Sequence, residues 1–126
     1  MFDAPVIIHD DHGGIVEQYQ AREQAWEFVG KRIIIDGRCA SSCTLYLHSP
    51  YTCATHRASF WFHAARDAVA YRGRVIVGPI DRGTSNAMLG YYPPRVADWV
   101  QRHGGLGPNL IVLRGREMLA SIPQCR

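Results

Sequence analysis

The chain has 126 residues and a mass of 14.2 kDa, room for a single domain with one modest core. With 47% hydrophobic and 20% charged residues it has the composition of a folded globular protein, not of a disordered chain. Its net charge of +3 comes from arginines scattered singly, which does not call for nucleic acid, and apolar runs such as Ile33-Ile34-Ile35 stop far short of the roughly 20 residues of a membrane-spanning helix.

Strand and helix signals alternate. Residues 5–9 read as a short strand rich in β-branched side chains, closed by the turn-forming run Asp10-Asp11-His12-Gly13-Gly14. From there Ile15, Val16, Tyr19, Trp26 and Val29 recur at helical spacing and predict a helix stopped by Gly30. Residues 31–36 carry Ile33-Ile34-Ile35, the pattern of a strand covered on both faces, with its end expected at Gly37. The run Gly37-Arg38-Cys39-Ala40-Ser41-Ser42-Cys43 then leads into a short buried helix over residues 44–48, ended by Ser49-Pro50.

Thr52-Cys53-Ala54 and residues 58–63 predict two further strands, the second with the aromatic run Phe60-Trp61-Phe62 before His63. Residues 67–81 fit a loop or a hairpin equally well. Thr84 or Ser85 is expected to cap a helix running through Met88-Leu89. Pro93-Pro94 opens another, with Val96, Trp99, Val100 and His103 at i, i+3, i+4 and i+7 and Gly104-Gly105 as its stop. Ile111-Val112-Leu113 is a late strand or helix, and the alternation as a whole argues for an α/β fold in one domain over residues 1–126.

The four cysteines, Cys39, Cys43, Cys53 and Cys125, are an even count that predicts disulfides in an oxidising compartment, with three pairings open. No signal-peptide pattern precedes residue 5, so the expectation is an exported protein whose signal is absent from this sequence, with a cytoplasmic protein carrying free thiols as the alternative. No Cys or His pairs at ligand spacing complete a metal set: His9, His12, His48, His56 and His103 read as structural or exposed, and neither a metal nor a cofactor is expected. Trp26 and Trp99 read as core, and Tyr91-Tyr92-Pro93-Pro94 as a packed turn into a helix.

Three features together suggest chemistry. A serine nucleophile must be lifted from the chain on a sharp strand-to-helix turn whose small neighbours admit a carbonyl and whose amides hold the developing oxyanion. Ser41 and Ser42 sit on such a turn. A histidine must take the hydroxyl proton, and His63, at the end of a neighbouring strand, is the candidate. Gly13-Gly14 is a second glycine turn ahead of a helix. The duller alternatives are that the serines cap a helix, that the glycines only supply positive φ, and that His63 is an ordinary half-buried histidine.

The order Gly-Gly, helix, strand, Gly-x-x-x-Ser, helix, strand, His resembles the ClpP/crotonase superfamily of serine peptidases. His12-Gly13-Gly14 matches the turn that supplies oxyanion amides there, Gly37-Arg38-Cys39-Ala40-Ser41 the nucleophile turn, and His63, 22 residues after Ser41, the base. The pattern Gly-x-Cys-x-Ser-(Ala/Ser)-Cys, a later Phe62-His63 and the final Cys125 look like an uncharacterised bacterial, predicted-periplasmic branch. The resemblance implies a ClpP/crotonase-like fold of ββα type, shortened at its N-terminus, and a serine hydrolase acting on peptide or acyl bonds. It assigns Ser41 as nucleophile, His63 as base, and Gly13, Gly14 and Ser42 to the oxyanion. Glu117 lies nearest to the family's acid, with Asp98 next. It also implies association of copies into trimers or rings. A catalytically inactive, disulfide-braced binding or assembly module on the same fold is the alternative, and a thiol enzyme using Cys39 or Cys43 a third.

Overall fold

A computed structural model describes residues 4–126. The chain runs β1 (Val6–Asp11), α1 (Val16–Phe28), β2 (Ile33–Ala40), a 3₁₀ helix (Ser41–His48), β3 (Thr52–Ala54), β4 (Ser59–Phe62), β5 (Arg66–Tyr71), β6 (Arg74–Ile80), α2 (Arg82–Tyr91), α3 (Pro94–Arg102), β7 (Ile111–Arg114) and α4 (Gly115–Ser121). It is a mixed α/β fold with a five-stranded mixed sheet. β2 lies at its centre. β1 pairs along one side in parallel; the other side is shared, with β3 on Ile33–Ile35 and β4 on Arg38–Ala40, both parallel. β7 closes the far edge antiparallel to β4.

Burial explains the central strand. Ile33, Ile35 and Cys39 are fully enclosed while Ile34 and Asp36 between them are only half-buried, so the strand is covered completely on one face and in part on the other, rather than on both faces as the apolar run predicts. They meet Phe60 and Phe62 of β4, Leu113 of β7, and Leu45 and Tyr46 of the 3₁₀ helix, with Met88, Val96, Trp99, Val100 and Met118 from the helices completing one core. Phe62 meets Tyr92 edge-on at 5.4 Å, a favoured aromatic geometry.

The structure corrects several sequence readings. β2 does not end at Gly37 but continues to Ala40. Gly37 is there because β1 bulges between Ile8 and Asp10, and the His9 carbonyl oxygen would lie 1.8 Å from a Cβ at position 37. A residue without a side chain lets the strands pass. Helix α1 buries the middle of the expected stripe, with Tyr19 enclosed and Val16 and Trp26 packed against the core, but Ile15 and Val29 at its ends are exposed and Glu23 faces inward instead. The cap of α2 is Asp81, whose carboxylate accepts from the Thr84 amide at 3.0 Å; neither Thr84 nor Ser85 holds that place.

The open segment is a β-hairpin. β5 and β6 form a separate two-stranded ribbon turned by Arg72 and Gly73, both at positive φ, as a two-residue hairpin loop requires. Pro94 at the start of α3 and the burial of Val96, Trp99 and Val100 follow the predicted pattern. Residues 111–113 are strand β7. The cysteines pair as Cys39–Cys43 and Cys53–Cys125, the latter joining β3 to the C-terminal segment beside the Ala54–Gln124 bridge. Among the described residues, no helix is long and apolar enough to cross a membrane.

Candidate active site

β1, β2 and β4 run in parallel, so their C-terminal ends come together at one edge of the sheet, where α/β proteins gather functional loops. Ala40 pairs with Trp61, and the residues that follow the two strands are Ser41 and, two positions beyond Trp61, His63. Parallel neighbours lie about 4.8 Å apart. The sequence candidates for nucleophile and base therefore leave adjacent strands at the same end.

Ser41 has φ 57°, in the left-handed region that a serine enters at a cost of about 1–3 kcal/mol unless its surroundings hold it there. Three contacts hold the turn. The Cys39–Cys43 disulfide closes a loop with Ser41 at its middle. Thr44 Oγ1 donates to the Ser41 carbonyl at 2.6 Å and shares a 2.7 Å hydrogen bond with the Tyr92 hydroxyl. Ser42 Oγ donates to the Gly14 carbonyl at 2.5 Å. Ser42 is buried and committed to that bond, whereas Ser41 is half-buried.

Gly13 is the second half of the turn. With φ 91° it packs so closely on the serine loop that a Cβ would stand 2.7 Å from Ser41 Cβ, 2.9 Å from the Ala40 carbonyl oxygen and 3.0 Å from the Ser42 nitrogen. Asp11 fixes it: the carboxylate accepts from the Gly13 amide at 2.8 Å and from the Tyr19 hydroxyl at 2.7 Å. Burial, reinforced by Asp11, pushes the Tyr19 phenol well above its usual range, so it remains a donor. Gly13 thus cannot offer its N–H to a substrate. The Gly14 amide has no partner among the described residues, and Ser42 lies in the first turn of the 3₁₀ helix, where amides lack intrahelical acceptors.

His63 is half-buried, and its Nδ1 lies 2.8 Å from the Ala64 carbonyl oxygen. A carbonyl can only accept, so Nδ1 donates, and in the neutral ring Nε2 is the nitrogen with the lone pair. The Ala64 amide donates to the Gly107 carbonyl at 2.9 Å, which anchors this segment. Nearby, Arg38 pairs with Asp10 at 2.9 Å and holds its carboxyl below the usual carboxylate range.

Glu117 is engaged elsewhere. Its carboxylate accepts from Trp99 Nε1 at 2.7 Å and lies 3.4 Å from His103 Nε2. Because β7 runs antiparallel to β4, with Arg114 opposite Ser59 and Ile111 opposite Phe62, α4 begins at the end of the sheet away from His63. Asp98 pairs with Arg102. The expected carboxylate partner of His63 is replaced by a backbone carbonyl.

Disulfide bonding removes Cys39 and Cys43 as thiol nucleophiles and with them the thiol-enzyme reading. A cavity of about 610 Å³ lies away from the serine turn, between the end of the 3₁₀ helix, the start of α3 and the C-terminal segment, lined by Leu47, Pro50, Pro94, Val96, Leu119 and Ile122 among others. No protein-family model matches the chain, and no curated protein matches it.

Proposed function

We propose that the protein is a serine hydrolase of the ClpP-like type, acting on peptide or acyl bonds in an oxidising, exported compartment. The observation that carries this reading is the left-handed backbone of Ser41, packed onto a glycine at which any side chain would press on the serine turn. Strain of this kind persists only where surroundings enforce it, and here a disulfide and side-chain hydrogen bonds converge to do so. The two disulfides and the order of motifs support the compartment and the ClpP-like kinship.

In this mechanism His63 Nε2 accepts the Ser41 hydroxyl proton as Oγ attacks the carbonyl carbon. The Gly14 and Ser42 amides receive the oxyanion. The protonated imidazole then delivers its proton to the leaving group, and water attacks the acyl-serine by the same route in reverse. The Ala64 carbonyl keeps the ring in the correct tautomer and orientation, the task a carboxylate performs in a triad. It stabilises the imidazolium less than a full negative charge would, so the site works as a dyad.

The test is intact-mass measurement after treatment with a fluorophosphonate, without reductant, on the wild type and on Ser41→Ala and His63→Ala. One adduct per chain that disappears in both variants is the expected result. No adduct on a folded chain with four oxidised cysteines refutes the hydrolase and leaves the disulfide-braced binding module.

A further inference from the structure

Away from the serine turn, three electron-pair donors converge where α1 meets the end of the 3₁₀ helix. A ligand atom of each of Glu23, Glu27 and His48 lies within 4.8 Å of the others. We propose that this cluster is a binding site for a divalent transition cation of the zinc class, held by two carboxylates and one imidazole.

Glu23 provides the first argument. It is completely buried, Oε1 accepts from the Tyr91 hydroxyl, and Oε2 is enclosed without any hydrogen-bond partner. A buried carboxylate oxygen left unpaired is costly, and its exceptions call for a missing partner. Glu27 can be that partner only by sharing a proton with Glu23, since two ionised carboxylates only accept and repel each other; a cation satisfies both without one.

His48 provides the second. Its Nδ1 lies 2.7 Å from the Tyr91 carbonyl oxygen and donates to it, so Nε2 is the nitrogen turned to the cluster, 3.7 Å from Glu27 Oε2, and the one whose lone pair a cation would take. Metal-ligating histidines characteristically donate their second ring N–H to a carbonyl or carboxylate, which fixes tautomer and ring orientation. The ring also stacks on Tyr91, with centroids 4.0 Å apart and planes at 17°. Tyr91 therefore positions two ligands at once, Glu23 through its hydroxyl and His48 through its carbonyl and ring face.

Helix geometry supplies the rest. Glu23 and Glu27 are at i and i+4, one turn apart on the same face of α1. Mixed imidazole and carboxylate ligation suits zinc and its neighbours, while calcium and magnesium prefer oxygen alone. Three protein ligands leave a coordination position for water, and the half-exposed Glu27 and His48 side chains give the ion a way in.

The test uses the full, disulfide-intact chain after treatment with a chelator, titrated calorimetrically with zinc chloride and, separately, calcium chloride. The expected result is one zinc per chain and no comparable calcium binding. His48→Ala and Glu27→Gln, both at accessible positions that the fold tolerates, should each weaken zinc binding by at least about tenfold. His12→Ala, which removes an exposed histidine elsewhere, should leave it unchanged. Tyr91→Phe keeps the ring and carbonyl and removes only the hydroxyl, so it should weaken binding while His48 remains ordered. Absence of one-to-one zinc binding, equal calcium binding, or zinc binding unaltered by both His48→Ala and Glu27→Gln overturns the proposal; the first of these outcomes assigns the gap between the carboxylates to a shared proton.

Discussion

The two disulfides should separate cleanly by what their loss does. Cys53–Cys125 closes a loop of 72 residues, and chain-entropy scaling gives about 4.4 kcal/mol for a crosslink of that span. Cys39–Cys43 closes only four, for which the same scaling gives about 2 kcal/mol. For a chain of 126 residues these translate to drops in Tm of about 17 °C and about 7 °C. Reactivity should follow the reverse order. The short disulfide brackets Ser41 and opposes the escape of its backbone from φ 57°. If its roughly 2 kcal/mol acts mainly on that turn, Cys39→Ala/Cys43→Ala should slow fluorophosphonate labelling of Ser41 by about 30-fold. Cys53→Ala/Cys125→Ala should label at the wild-type rate in whatever fraction remains folded. Differential scanning calorimetry on the pair of double variants, with labelling rates taken well below both transitions, measures the two effects independently. Equal drops in Tm, or undiminished labelling without Cys39–Cys43, would refute the assignment of the short bridge to the turn.

Other substitutions test the remaining parts of the site and the sheet. Gly13→Ala places a methyl group against Ser41, Ala40 and Ser42 at an unfavourable φ, and should cost about 2–5 kcal/mol in chemical denaturation together with loss of labelling. Gly37→Ala meets the His9 carbonyl within β1 itself and should abolish folding, seen as loss of soluble protein. Glu117→Gln should lower Tm, through its bonds to Trp99 and His103, yet leave labelling unchanged; a large loss of labelling would restore Glu117 to the catalytic set. The Asp81 carboxyl is held below its ordinary value by the Thr84 hydroxyl and amide. A depressed folded pKa stabilises above the unfolded value of 3.8 and loses that contribution as pH falls through the folded value, so the stability difference between wild type and Asp81→Ala should be constant near neutrality and shrink below about pH 4.

Local patterns made some of this legible and non-local contacts hid the rest. The Ile33-Ile34-Ile35 run and the i, i+3, i+4 spacing of Val96, Trp99 and Val100 report burial directly, because each side chain's environment repeats with the period of its own element. Ser41 and His63 could be singled out because strand ends in parallel sheets collect function and both follow predicted strands. Gly37 misled because a glycine that stops a strand and one that lets another strand bulge against it look alike in sequence; only the His9 carbonyl distinguishes them. Glu117 was placed by distance along the chain, while the antiparallel β7 carries it to the other end of the sheet. Glu23 and Glu27 lie outside the apolar spacing that marks α1 in the sequence. The one signal available was the carboxylate four residues after Tyr19, on the face where the helix pattern calls for an apolar residue.

The β5–β6 ribbon allows the division between scaffold and appendage to be tested. Residues 66–77 are exposed throughout, including Val69, Ile76, Val75 and Val77 on its two faces, so the ribbon contributes little to the core. Its base is another matter. The Asp81 amide donates to the Ala65 carbonyl at 2.8 Å, the Ala65 amide donates to Ser85 Oγ at 2.9 Å, and Ser85 Oγ donates to the Asp81 carbonyl at 2.7 Å. That small network fixes the segment just after His63 whether or not the ribbon extends from it. Arg66 and Ile80 already pair across the base, and Ile80 packs on the core. Replacing residues 67–79 with a two-glycine turn should therefore keep the fold, shift Tm by no more than a few degrees, and preserve Ser41 labelling, while removing an apolar surface that a two-stranded ribbon cannot cover alone. A collapse of Tm would mean that the ribbon stabilises the core through contacts its exposure does not reveal. Loss of labelling on an intact fold would instead make the ribbon part of the site that follows His63.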